Sequence, residues 1–144
     1  METSAQSCCN RQYDYFILDF LERLDIYVKK KLELERHLKN CWYYLAQTRL
    51  FMGSMSRVSE LQFDFRDQPA SVTLEVSEEG DHFQLSRTPT EEMKHRALKR
   101  FGILVPHSLK LAQVSVLTAV QLICEIAGLQ AKINALIREL DSFK

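Results

Sequence analysis

Apolar side chains recur every seven residues along two long stretches of this 144-residue chain, and between those stretches they recur every two. Few architectures accommodate that pattern. Heptad spacing keeps apolar residues on one stripe of an α-helix facing another helix, whereas a period of two places them on one face of a strand. In the first stretch Ile17, Leu24, Lys31, Leu38, Leu45 and Met52 form one row and Leu21, Val28, Glu35, Trp42 and Arg49 its companion, apolar at eight of eleven positions. A flanking row, Phe20, Tyr27, Leu34 and Cys41, is apolar as well. The stripe is therefore wider than a two-helix seam and suits packing against more than one helix. Gly53 supplies the left-handed residue that ends a helix. The expectation is a flexible N-terminus over 1–11 and a long helix over 12–52.

The second stretch has the seam Leu109, Ala112, Val116, Ala119, Ile123, Ile126, Gln130, Ile133, Ile137 and Leu140, apolar at nine of ten positions, beside a row of Leu122, Leu129, Leu136 and Phe143. This predicts a helix over 108–143. Two long helices with matching stripes pair as an antiparallel hairpin. Pro106 suits the helix entrance and Ser108 a cap, and the residues alone do not say which sets the first turn. In the middle, Leu61, Phe63 and Phe65, then Val72, Leu74 and Val76, then Phe83 and Leu85 alternate with polar residues, with breaks at Gln68-Pro69-Ala70 and Glu79-Gly80-Asp81. That reads as a three-stranded antiparallel meander over 57–87. Residues 88–107 form a connector, polar over 88–100 with one or two helical turns, then apolar. The fold class is mainly α with a small β insert, in a single domain over 1–144.

Composition narrows the function. Formal net charge is zero, so no global basic field attracts nucleic acid or anionic lipid. Charge is unevenly spread: residues 60–92 hold nine acidic and two basic side chains, and residues 93–144 eight basic and three acidic. Cys8, Cys9, Cys41 and Cys124 form no CxxC pair, in keeping with a reducing, cytosolic compartment. No signal peptide is visible. The most apolar window, Val114–Leu129, is interrupted by Gln121 and Glu125 and reads as too short to span a bilayer, so a water-soluble chain is expected.

Sites for chemistry are sparse. His37 and Cys41 stand at the i, i+4 spacing of half a zinc site, but no second half accompanies them, and a histidine beside a buried cysteine is the plainer reading. Cys8-Cys9 offer a place for S-acylation, against the plainer reading of a reduced tail. Lys29-Lys30-Lys31 reads as a solvated helix face. His107 and Ser108 are adjacent and point apart, so they are not a base–nucleophile pair. HExxH, GxSxG, Walker and dinucleotide-binding patterns are all missing from the sequence. No enzyme activity, metal, cofactor, nucleic acid or small-molecule substrate is expected. Trp42 falls on the seam, while Tyr43 and Tyr44 face outward or toward a second partner, as interface anchors or as cover for the sheet.

One segment resists the description of a linker. Phe101-Gly102-Ile103-Leu104-Val105-Pro106-His107-Ser108-Leu109 carries four large apolar side chains between Phe101 and Val105, a composition that calls for burial against something. Followed by Lys110-Leu111-Ala112-Gln113, it resembles the C-terminal signature of the coiled-coil assembly factor family of the vacuolar proton ATPase. Trp42-Tyr43-Tyr44-Leu45-Ala46-Gln47-Thr48-Arg49-Leu50-Phe51-Met52-Gly53 is similar to the end of that family's first helix. The chain departs from the pattern in its short connector over 88–100 and in Arg100, where an aromatic is expected. The resemblance implies a peripheral chaperone on the cytosolic face of the endoplasmic reticulum, with the endoplasmic reticulum–Golgi intermediate compartment, endosome or lysosome as further locations. It implies an integral membrane partner in the endoplasmic reticulum and, as clients, subunits of the pump's membrane sector, in support of organelle acidification. The residues singled out for partner binding are Trp42, Leu45, Met52, Phe101, Ile103, Leu104, Pro106 and Leu109. Two other readings fit the same architecture: a general chaperone subunit of prefoldin type and a coiled-coil tether in vesicle trafficking.

Overall fold

A computed structural model describes residues 2–53, 65–67, 69–78, 80 and 82–142, with side chains described within 13–141 of those ranges. The chain order is helix α1 (Glu2–Met52), strand β1 (Thr73–Val76), strand β2 (Phe83–Arg87), helix α2 (Glu91–Lys99) and helix α3 (His107–Ser142). The described fold is mainly helical with a two-stranded antiparallel sheet. The backbone of α1 is helical ten residues upstream of the expected start, across 2–11, where a flexible tail was expected. No glycine or proline stands between Glu2 and Met52 to stop propagation. Gly53 ends α1 with φ +62°, the left-handed conformation that a Cβ disfavours.

Two side-chain pairs fix how α1 meets α3. Thr48 meets Ser108 and Lys30 meets Glu125, so advancing along one helix retreats along the other and the two pack antiparallel. The same register sets Cys41 level with Ser115 and Leu34 level with Leu122. The buried residues of α3 are Leu109, Ala112, Ser115, Ala119, Leu122, Ile126 and Ile133. Half of the expected seam is therefore correct. Val116, Ile123 and Ile137 are exposed, and the adjoining row of Ser115 and Leu122 faces inward instead. The buried Ser115 hydroxyl is satisfied by donating to the Leu111 carbonyl oxygen at 3.0 Å.

α1 is turned by one residue in the same way. Its covered rows are Phe20, Tyr27, Leu34, Cys41 and Thr48, with Arg23, Lys30, His37 and Tyr44 half-buried beside them. The middle of the expected seam faces solvent, with Leu21, Leu24, Val28, Leu38 and Trp42 exposed, while Ile17, Leu45 and Met52 nearer its ends are half-buried. Two adjoining apolar rows lay on one wide stripe, and α3 covers the row with smaller residues at its C-terminal end, where Ala112, Ser115 and Ala119 permit close approach.

The sheet lies against α3. Its register pairs Leu74 with Leu85 and Val76 with Phe83, and an irregularity between Thr73 and Leu74 brings Thr73 opposite Arg87. Val72 and Leu85, with Thr88 and Pro89, border a cleft closed by Leu117, Val120 and Gln121 of α3. Leu74 and Val76, on the outer strand, are exposed. The expected first strand at Leu61 and Phe63 lies outside the described residues, and Phe65 is in irregular structure. α2 is the helical part of the connector. Thr90 caps it by accepting from the Met93 N–H, Leu98 is its buried anchor, and the Gln113 side chain donates to the Lys94 carbonyl oxygen at 3.1 Å to hold it on α3.

By length and composition α3 is able to cross a membrane, with mean hydropathy 1.6 in its most apolar window over His107–Asp141. This corrects the estimate from Val114–Leu129, which took the apolar run rather than the whole helix. The core helix of a water-facing domain satisfies the same measure. Here α3 carries its apolar stripe against α1, the sheet and α2, and its Glu125 forms an ion pair with Lys30.

Candidate partner-binding surface

The end of the α1–α3 pair, where α1 stops and α3 starts, gathers apolar surface beside a small polar lock. Thr48 is fully buried, at 0% exposure. Its hydroxyl donates to the Tyr44 carbonyl oxygen at 2.8 Å, which uses its one hydrogen. The Ser108 hydroxyl therefore donates to Thr48 Oγ1, 2.7 Å away. Ser108 is the second residue of α3, and this bond ties the helices together where a cap was expected. Pro106 immediately precedes the helix, its carbonyl oxygen accepting from the Leu109 N–H at 3.1 Å.

A groove opens beside this lock. Tyr43, Tyr44 and Phe51 of α1 line one side, and Pro106, His107 and Leu111 the other. Tyr43 and Tyr44 meet edge to face, centroids 5.6 Å apart. Phe51 is 81% exposed at the rim and its neighbour Leu50 is 84% exposed. On the chain leading into α3, Ile103 is 100% and Leu104 90% exposed, although their composition called for burial. Gly102 directs that turn with φ +132°, after the Phe101 and Gly102 N–H groups have bonded the Leu98 and Lys99 carbonyl oxygens at the end of α2. Apolar side chains this exposed are characteristic of a surface that a partner covers.

The residues expected to bind partners divide four ways. Pro106 lines the groove, and Leu109 is buried in the chain's own core. Leu45, Met52 and Phe101 are half-buried. Trp42, Ile103 and Leu104 project to solvent, Trp42 from the outer ridge of α1. Of the adjacent tyrosines, Tyr43 is exposed as expected, whereas Tyr44 turns inward and is half-buried. Phe51 and Leu111 belong to the groove without having been singled out. The Leu50-Phe51-Met52 run before a helix-ending glycine was the available signal for Phe51.

Chemical machinery is sparse at this surface. Among the described residues no group of three or more His, Cys, Asp or Glu side chains stands close enough to hold a metal ion. Burial pushes the Cys41 thiol above its ordinary pKa, so it is a poor nucleophile. On the outer ridge, the hydrogen bond and charge of Lys39 lower the pKa of the exposed Glu35 carboxyl. A separate cleft between residues 66–71 and α2 brings Arg66, Arg96, Lys99 and Arg100 around Asp67, concentrating positive charge on that side.

No family model matches the chain. It is 30% identical to the vacuolar ATPase assembly protein VMA22 of Bos taurus, over 85% of this chain and 84% of that protein. It is likewise 30% identical to VMA22 of Mus musculus, over 90% and 88% of the two chains. The Homo sapiens protein of the same name is 29% identical over 85% and 84%. The first two alignments run over 153 and 160 positions against 144 residues here, so the relatives hold residues that this chain lacks. Likeness at this level across most of both chains shows that this chain belongs to the VMA22 family of vacuolar ATPase assembly proteins.

Proposed function

We propose that the chain is a non-catalytic assembly chaperone of the vacuolar ATPase, holding subunits of the pump's membrane sector together with an integral membrane partner at the cytosolic face of the endoplasmic reticulum. In this reading α1 and α3 form a coiled-coil hairpin, and organelle acidification depends on the chain indirectly. The family supports the assembly role. The observation that carries the binding mode is the exposure of Ile103 and Leu104 together with exposed Leu50 and Phe51, because apolar surface this prominent gains free energy when another molecule covers it.

The test is affinity purification of the full chain from detergent-solubilised membranes, with mass spectrometry of what accompanies it. Membrane-sector subunits and an integral membrane protein are the expected companions. Ile103→Asp with Leu104→Asp should reduce their recovery at least about fivefold, equivalent to roughly 1 kcal/mol, while circular dichroism shows unchanged helicity. Purification without any pump subunit would contradict the assembly role. Normal recovery with the double variant would remove these two residues from the binding surface.

A further inference from the structure

The outer ridge of α1 has a charge pattern complementary to itself. Leu21, Leu24, Val28, Leu38, Trp42 and Leu45 run along it, interrupted at the middle by Lys31 and Glu35. Leu45 at its end is half-buried, and the rest of the ridge is left exposed, since α1 packs on α3 while the sheet and α2 pack on the far helix. The ridge spans roughly 36 Å at the helical rise. Its centre of symmetry is Glu33. A second copy of the helix laid antiparallel about that point places Leu21 against Leu45, Leu24 against Trp42, Val28 against Leu38 and Lys31 against Glu35.

The charges select this arrangement over its competitors. A parallel, in-register pair would set Lys31 against Lys31 and Glu35 against Glu35, two like-charge contacts. Sliding the antiparallel pair by one heptad would face Lys31 with Val28 and Glu35 with Leu24, or Lys31 with Trp42 and Glu35 with Leu38, leaving both charges against apolar side chains. Only the arrangement centred on Glu33 pairs the two charges, and twofold symmetry makes the pair twice. A polar layer inside an apolar seam is a recognised means of fixing helix register and orientation.

The flanking row agrees. In the same geometry Asp25 comes beside Lys39 of the second copy and Leu32 meets Leu32 across the axis. Leu32 is exposed in the single chain. Lys31 now lies over the Tyr27 ring at 5.3 Å, and Glu35 is bonded by Lys39 at 2.7 Å. Both are surface contacts, which exchange readily. Beyond Leu21 and Leu45 the seam ends, because Ile17 would meet Arg49.

We propose that the chain self-associates through this ridge as an antiparallel dimer centred on Glu33, with reciprocal Lys31–Glu35 pairs selecting the register. The pairing leaves the groove at the hairpin end free, and it stands or falls independently of the assembly role.

Sedimentation equilibrium on the full chain over a micromolar concentration series tests it. The expected species has twice the 16.8 kDa chain mass. Lys31→Glu alone and Glu35→Lys alone should each raise the dimer dissociation constant by at least about tenfold. The double variant carrying both changes should restore it, because the pair is reversed and not removed. Trp42, the single tryptophan, gives a second readout: its emission should shift to the blue as concentration drives dimerisation, and the shift should vanish in each single variant. A wild-type chain that stays monomeric to about 100 µM, far above the micromolar range of a modest interface, would overturn the proposal. So would a dimer indifferent to the charge changes, or one that the double variant does not restore.

Discussion

The inner row of α1 (Phe20, Tyr27, Leu34, Cys41 and Thr48) and its outer ridge (Leu21, Leu24, Val28, Leu38 and Trp42) lie roughly 40–100° apart on the same helix and share the same seven-residue period. The outer ridge is the more apolar at its C-terminal end, with Leu38 and Trp42 where the inner row has Cys41 and Thr48. Yet the inner row is the one covered by α3. What separates them is fit. The inner row narrows toward small side chains where α3 presents Ala112, Ser115 and Ala119, and it places Lys30 and Thr48 where Glu125 and Ser108 receive them. Burial within one chain follows close approach and satisfied polar groups as much as hydrophobicity. The ridge left outside faces solvent.

The largest effect should come from truncating the buried side of that divide. Leu122→Ala removes a buried side chain level with Leu34 and should cost about 2–4 kcal/mol in urea unfolding. Val28→Ala on the outer ridge should cost under about 0.5 kcal/mol when measured on dilute chain. Equal costs would erase the distinction between the two rows. Next in size is Thr48→Val, which keeps the shape but leaves the Ser108 hydroxyl without its acceptor. It should cost about 1–2 kcal/mol by the same assay, and a neutral result would mean that shape alone joins the helices there.

Much of this was legible in the residues. The heptads located α1 and α3, the period of two located β1 and β2, and Gly53 marked the end of α1. The rotation of both long helices was not legible, because adjoining apolar rows share a period and only the partner's surface chooses between them. For Ser108 the ambiguity was of another kind: a hydroxyl at a helix start caps the backbone or crosses to a neighbour, and Thr48, sixty residues away, decided it. Ile103 and Leu104 announced their need for cover by composition, but composition does not say whether the chain itself supplies it. Here it does not.

The smallest effect concerns Cys41. Burial raises its thiol pKa in the folded chain, so the folded state disfavours the thiolate. The associated stability is complete below the ordinary thiol pKa and is lost as pH rises through the raised folded value. Denaturation midpoints should therefore fall more steeply on the alkaline side in the wild type than in Cys41→Ala. Parallel pH profiles would mean that the thiol is equally solvated folded and unfolded.

The central claim is that α1 turns its Thr48 row toward α3 and its Arg49 row outward. Disulfide trapping tests it most directly, since a disulfide forms only between side chains already adjacent and correctly aimed. Thr48→Cys with Ser108→Cys should close an intrachain disulfide under mild oxidation at every protein concentration, as mapped by peptide mass spectrometry. Arg49→Cys with Ser108→Cys should not. The reverse result, trapping at 49 and none at 48, would contradict the observed rotation and return the Leu21–Trp42 ridge to the core.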